Sequence, residues 1–244
     1  MNINNKQRIL IGEGKVAKVY LQEGFAYKCF QPSYPVDWIA YEVNIQHEIV
    51  SNTKLPVLTY AYVEQSHEIK MPYIKGVELT HRIQKEKYKN GLEDLITLQK
   101  QVYQYKGLQL PQAHDVFLET LMKSNLDDQT KRIGITALES IDRKNTLCHF
   151  DFHFSNIMFD RTNYYIIDWV NAKLGNPILD IARTYVIMRQ YAFRISDKYL
   201  NTIAKELNIE RIAFNQAIKV MAILRILEIH EEPSKQRLLD LIYT

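Results

Sequence analysis

Apolar and polar positions alternate with a short period through the first seventy residues. "RILIG" leads into "EGK"; "VAKVYLQ" and "FAYKCF" follow, separated by a turn at Glu23-Gly24. β-Branched and aromatic residues at two-residue spacing, cut by glycine, predict strands. "QPSYPV" is a loop with two prolines. In "DWIAYEVNIQHEIVSN" the spacing becomes helical, with Trp38, Tyr41, Ile45 and Ile49 at helical intervals and Asp37 as N-cap. Beyond Pro56, "VLTYAYVEQ" and "EIKMPYI" predict two more strands.

From about Gly76 the period lengthens to 3.6 residues. "VELTHRIQKEKY", "GLEDLITLQKQVYQY", "QAHDVFLETLMK" and "LDDQTKRIGITALESI" predict helices, as do "PILDIARTYVIMRQYAF", "SDKYLNTIAKEL" and "ERIAFNQAIKVMAILRILEIH". Between these two groups, "TLCHF", "NIMFD" and "YYIIDWV" form a β insertion near residues 147–170. The pattern predicts an α+β protein with a small β-rich N-lobe over residues 1–74 and a larger helical C-lobe over residues 75–244. No internal repeat or low-complexity segment interrupts it.

A length of 244 residues is enough for one large domain or a two-lobed one. The charge of +3 argues against a dedicated nucleic-acid binder. Cys29 and Cys148 are too few for a disulfide framework and are expected to be small buried residues. "MNINNKQRIL" lacks a signal-type apolar core, and no run approaches the ~20 apolar residues of a membrane span. The expectation is a cytoplasmic protein with no membrane partner. No pattern bears on oligomeric state.

Candidate chemistry begins at "IGEGKVAKV", where Gly12 and Gly14 would let a backbone approach phosphate oxygens. A tight glycine hairpin accounts for the same two residues. A Walker loop fails because Gly14-Lys15 is followed by Val16, and a dinucleotide fingerprint should open a helix, whereas "VAKVYL" is strand-like. A glycine-rich turn between two strands, covering a nucleotide, fits both flanks. Lys28 lies in the strand running back from that hairpin. It is either a solvent-facing strand lysine or a phosphate-binding one paired with a helix carboxylate. Glu42 and Glu48 are the candidates. Six residues separate them, about 600° of helical rotation, so only one can face Lys28; Glu42 is the preferred partner.

The densest cluster is "LCHFDFHFSNIMFD". His149-Phe150-Asp151 is followed by Asn156, and Asp168 comes after a predicted hairpin in "IIDWV". Doubling back would bring Asp168 near Asn156, offering hard oxygen ligands to Mg2+, while Asp151 stays free to face a hydroxyl. Two other readings compete. His149 and His153 are spaced as a zinc pair would be, but that scheme needs a helix and a third ligand. Turn-capping aspartates are common singly, yet do not explain the whole ordered set.

With these residues in place, the sequence resembles the aminoglycoside phosphotransferase/choline kinase-like family, a branch of the protein-kinase-like fold. "CHFDFHFSNIMFD" is similar to its His-Gly-Asp-x-His-x-x-Asn loop. "YYIIDWVNAKLGNPILDIAR" is similar to its Ile-Asp-Trp segment and following helix start, and "KMPYIKGVEL" to its hinge. The similarity spans roughly residues 10–185. It implies a bilobal fold and transfer of the ATP γ-phosphate, with Mg2+, to a hydroxyl of a small-molecule acceptor. By resemblance, Asp151 would be the catalytic base or orienting carboxylate, and Asn156 and Asp168 would bind Mg2+. Lys28, supported by Glu42, would hold phosphates, and the backbones of Pro72 and Ile74 would bind adenine. Asp180 and Arg183 would be structural.

The chain departs from the family at three places: Phe150 stands for the usual Gly, Phe154-Ser155 for Pro-Gly, and Asn176 for Asp. Phe150 would narrow the pocket or alter the loop backbone. The acceptor could be an aminoglycoside, choline or sugar-like. Tyr185, Tyr191, Phe193 and Phe214 could stack on it or belong to the core. The alternative function is a nucleotide-binding pseudokinase with a regulatory or interaction role. A protein kinase is disfavoured by the short segment after Asp168.

Overall fold

The computed structural model of the chain describes residues 8–64, 66–229 and 232–243, apart from the side chains of 232–234. The leader-free start expected over residues 1–10 falls mostly on 1–7, and the last expected helix ends at His230. Those positions, and Gln65 at the end of an expected strand, lie outside the described residues.

In the N-lobe, β1 (Ile9–Glu13), β2 (Ala17–Gln22), β3 (Phe25–Phe30), β4 (Ala61–Val63) and β5 (Glu68–Pro72) form one antiparallel sheet in the order β1-β2-β3-β5-β4. Glu23 and Gly24 both take left-handed φ, 53° and 80°, the geometry that lets a two-residue turn follow the strand twist. Lys28 sits in the central strand, flanked by Val19 of β2 and Ile69 of β5. Helix α1 (Val36–Asn52) covers the sheet and buries Ile39, Val43, Ile45 and Ile49. Its N-cap is Pro35, not Asp37. Asp37 lies instead in the first turn, where its charge still favours the positive helix end.

The strand expected over residues 57–65 shrinks to β4. Leu58 O accepts from Gln46 Nε2 (2.5 Å) and Tyr60 O lies 2.8 Å from His47 Nε2. Side chains of α1 thus occupy carbonyls that a strand partner would need. Cys29 is half-buried, with Sγ 3.3 Å from Glu68 Oε1, while Cys148 is fully buried; both are free thiols.

The C-lobe contains α2 (Leu79–Gln84), α3 (Gly91–Val102), α4 (Ala113–Lys123), α5 (Asp128–Glu139), α6 (Pro177–Tyr191), α7 (Phe193–Glu206), α8 (Asn215–Glu228) and α9 (Glu232–Tyr243). The sequence pattern did not separate α9, yet its Leu238 and Ile242 are buried in the C-lobe core. The inserted strands pair as β6 (Val77–Glu78), β8 (Ile157–Phe159) and β9 (Tyr164–Ile166) in one small sheet, and β7 (Thr146–Cys148) with β10 (Lys173–Gly175) in another. A Cβ on Gly76 would sit 2.3 Å from Phe159 O, so glycine is required for β6 to reach β8. That pairing takes the first residues of the helix expected over 77–88.

Two apolar clusters form the core, and α1 contributes to both. One gathers Phe30, Ile39, Val43 and Ile69 in the N-lobe; the other runs through α3 to α9 and takes in Ile45 and Ile49 from the opposite end of α1. Ile167, next to Asp168, packs on the N-lobe cluster. Among the described residues no helix is long and apolar enough to cross a membrane.

One buried cation stands out. Lys173 is only 9% exposed. Its Nζ donates to Asn171 O at 2.8 Å and forms no ion pair among the described residues. Burial, with Arg183 nearby, pulls its pKa down to about 8 from the usual 10.5. Between those values the unfolded chain binds more protons than the folded one, so this group makes stability rise with pH across that window. Lys173→Met is therefore expected to raise unfolding free energy at pH 7 by roughly 1–4 kcal/mol. The gap to wild type should narrow as pH climbs from about 8 to 10.5. Urea unfolding at several pH values measures both; a gap independent of pH would contradict the assignment.

Candidate active site

The loop after β7 is held in place before it does any chemistry. His149 is fully buried, and its Nε2 lies 3.0 Å from Ile167 O while Nδ1 accepts from Asp151 N–H at 3.2 Å. A neutral ring protonated on Nε2 satisfies both bonds, and burial keeps the pKa below its usual value. The ring packs 4.5 Å from that of Trp169. His149 thus ties the Asp151 loop to the Asp168 segment and is not on a helix with His153.

Phe150 adopts left-handed φ, 59°, the conformation a glycine would supply without strain. Its N–H donates to Asp180 Oδ1 at 2.6 Å. Its ring does not narrow the cavity beside Asp151. It is buried instead, edge-on to Phe117 with centroids 5.0 Å apart.

Asp151 carries the most informative electrostatics. Burial acts to raise its pKa, but the hydrogen bond and charge of His153, with His149 and Arg183, outweigh it and hold the carboxyl at about 2. His153 Nε2 lies 3.6 Å from Asp151 Oδ2. Asp151 is therefore an ionised acceptor at neutral pH, a weak base suited to orienting a hydroxyl.

Asn156 Nδ2 donates to both Asp151 O (2.9 Å) and Oδ2 (3.1 Å), which leaves its amide oxygen for another partner. The β8–β9 hairpin then doubles the chain back, and Ile167 N–H donates to Asn156 O at 3.0 Å. Asp168 follows with φ 63° and ψ 59° and a side chain 41% exposed. Lys28 Nζ lies 2.7 Å from Glu42 Oε1 and 3.7 Å from Asp168 Oδ1. Burial opposes the Lys28 charge, but Glu42 and Asp168 outweigh it and push its pKa up. Glu48 points elsewhere, accepting from Gln109 N–H at 2.6 Å.

Two cavities adjoin this line of residues. One, of about 260 Å³, is lined by Val19, Lys28, Pro72, Ile74, Asn156 and Asp168. The other, of about 320 Å³, is lined by Thr80, Asp151, His153, Tyr191 and Arg225 among others. The Asp151–Asn156 hydrogen bond joins them. Gly12 and Gly14 do not line the first cavity, although Ile11 and Val19 of the same hairpin do. A Cβ on Gly12 would come no closer than 3.6 Å to Val19, and one on Gly14 would sit 3.5 Å from Ala17 O. The fold itself demands neither glycine. A larger opening of about 910 Å³ continues outward past Tyr73 and Gly76.

Asn156 and Asp168 offer an amide oxygen and a half-exposed carboxylate on one cleft, hard donors of the kind Mg2+ takes alongside water and phosphate oxygens. The residues present fit that ion. Sequence reasoning missed Tyr60, which lines the first cavity, and Arg225, which lines the second from α8. Arg225 lies far along the chain in an ordinary helical pattern, so nothing local marked it. Of the four aromatics considered for an acceptor, Tyr185 and Phe214 are core, Tyr191 lines the second cavity, and Phe193 is exposed.

Residues 69–212 match the model of the phosphotransferase enzyme family. The chain belongs to that family. Among solved structures, it is similar to a choline/ethanolamine kinase family protein from Mesorhizobium loti. That match has a TM-score of 0.70 and 12% identity, over 98% of this chain and 88% of the other. It is similar to a thermostable mutant of aminoglycoside phosphotransferase APH(4)-Ia in ternary complex with AMP-PNP and hygromycin B. There the TM-score is 0.67 and identity 11%, over 97% and 93%. It is also similar to choline kinase LicA from Streptococcus pneumoniae, with a TM-score of 0.62 and 11% identity, over 96% and 91%. At these identities the similarities establish the protein-kinase-like fold. No curated protein matches.

Phe150 yields a test with a reversed sign. At most positions glycine is less stable than alanine by roughly 0.5–1 kcal/mol. At this left-handed φ the order should invert, with Phe150→Gly about 1 kcal/mol more stable than Phe150→Ala. Both should fall below wild type because the buried ring is lost. Equilibrium urea unfolding of the three proteins measures this; alanine above glycine would contradict the geometry.

Proposed function

We propose that the chain is an ATP-dependent, Mg2+-dependent phosphotransferase that moves the γ-phosphate to a hydroxyl of a small molecule, of aminoglycoside, choline or sugar-like type. The observation that carries this reading is the junction at Asp151–Asn156. A carboxylate ionised far below neutral pH faces one cavity, while the asparagine bonded to it faces another that also holds Lys28 and Asp168.

In this reading Lys28, braced by Glu42, binds nucleotide phosphates, and the β1–β2 hairpin covers them with the backbone at Gly12 and Gly14. The Ile74 carbonyl already accepts from Gly76 N–H at 2.9 Å, so adenine would be met by the Ile74 N–H and the Pro72 carbonyl. Asn156 and Asp168 hold the metal, which supplies neutralisation of polyphosphate charge. Asp151 orients the acceptor hydroxyl in line and receives its proton late, as a loose phosphoryl-transfer transition state allows. That the APH(4)-Ia structure holds AMP-PNP and hygromycin B together supports a site that takes a nucleotide and an acceptor at once. We place the boundary between the lobes at residues 74/75. Only residues 169–176 separate Asp168 from α6, little room for a protein-kinase activation segment.

Asp151→Ala is expected to lower turnover by about 10²–10⁴ with Mg·ATP affinity retained. A phosphate-transfer screen over aminoglycosides, choline, ethanolamine, sugars and nucleosides supplies the assay; unchanged turnover would sink the role. A pseudokinase would bind Mg·ATP and phosphorylate no acceptor. Gly14→Ala separates a phosphate loop from a plain hairpin. Stability should stay within about 0.5 kcal/mol, because the fold has room for the methyl, while Mg·ATP affinity by calorimetry falls about tenfold. Unchanged affinity would remove Gly14 from the site.

A further inference from the structure

A separate cleft of about 190 Å³ opens between α4 and α8. It shares no lining residue with either cavity described above. Phe117, Phe150 and Leu224 are among its apolar lining, and its charged groups are Lys173, Arg183 and Glu228. Glu228 Oε2 is already shared by two guanidiniums, Arg183 at 2.5 Å and Arg225 at 2.8 Å. Among the described residues Lys173 has no carboxylate at ion-pair distance and feels Glu228 only from farther off. Its ammonium has one neutral carbonyl partner and lies 5.9 Å from the ring centroids of both Phe117 and Phe150.

A buried cation with no anion in contact is costly, and the cost falls when one reaches it. Positive charge exceeds negative among these groups, and two aromatic rings with an aliphatic wall complete the lining. We propose that this cleft binds a small carboxylate with an apolar body, of the aryl or short-chain alkyl class. The carboxylate meets Lys173, and the body packs on Phe117, Phe150 and Leu224. The volume lies below the roughly 300–1,000 Å³ of sites for drug-sized ligands, which limits the occupant to about the size of benzoate. Because Phe150 directly precedes Asp151, an occupant leans on the loop that carries that carboxylate. The site stands whatever the acceptor of the phosphoryl group proves to be.

Calorimetric titration with benzoate at pH 7 tests the proposal on the full chain, with AMP-PNP present so that the nucleotide cleft is not the reporter. The expected result is saturable one-site binding with Kd at or below about 1 mM. Benzoate should bind at least tenfold more weakly to Lys173→Met. The same loss is expected in Thr120→Trp, which plugs the rim from an exposed position, so the test does not hang on one variant. Benzyl alcohol should bind at least tenfold more weakly to wild type, as should inorganic phosphate. No saturable benzoate binding would overturn the proposal, as would equal binding in both variants. Phosphate binding as tight as benzoate would show a plain anion hole and overturn the apolar half of it.

Discussion

The buried carboxylate of Asp180 is the interaction on which the site depends. It has no solvent exposure, and its two oxygens are taken by three donors, one from the loop before Asp151 and two from α3 and its C-cap. Oδ1 accepts from Phe150 N–H; Oδ2 accepts from Tyr103 Oη at 2.8 Å and from Gln99 Nε2 at 3.4 Å. Gln99 in turn reaches Thr184 and Tyr199, and Thr184 Oγ1 donates to Phe152 O. Burial pushes the Asp180 carboxyl up, and these hydrogen bonds with His149 work against that push. A network this enclosed is stabilising only when complete. Its completion fixes a left-handed residue immediately before Asp151, which a loop with such a bulky side chain would not hold unaided.

From that anchor the geometry spreads by short links. His149 connects the loop to Ile167, the Asn156 amide connects it to the hairpin, and Asp168 reaches across to Lys28 in the N-lobe sheet. Each link is a hydrogen bond or ion pair; the Asn156 link is local, while the other two join segments farther apart in sequence. The resulting order is a cation, two oxygen donors and an ionised carboxylate along the wall between two cavities. Such a row suits phosphoryl transfer, where positioning and charge supply most of the rate.

Much of this was legible in the chain because the relevant signals are local. Strand and helix periods divided the lobes, and the spacing of Asp151, Asn156 and Asp168 around a predicted hairpin pointed to one site. Helical rotation limited Lys28 to one of two glutamates, and the fold pairs it with Glu42. What escaped depended on long-range contacts. Residues 57–60 look like strand, but Gln46 and His47 of α1 occupy their carbonyls. Arg225 reaches the second cavity from an unremarkable helix. Phe150 looked like an obstruction beside Asp151, and only the packing of α4 and α6 shows where its ring goes.

The central claim is that this arrangement transfers a phosphoryl group to a small-molecule hydroxyl. Phosphorus-31 NMR of the full chain with ATP, Mg2+ and pooled hydroxyl acceptors follows that transfer directly. The account predicts loss of the γ-phosphate signal, growth of ADP and appearance of a new phosphomonoester resonance that requires an acceptor. ATP left intact, or converted only to ADP and inorganic phosphate whatever acceptor is present, would contradict it.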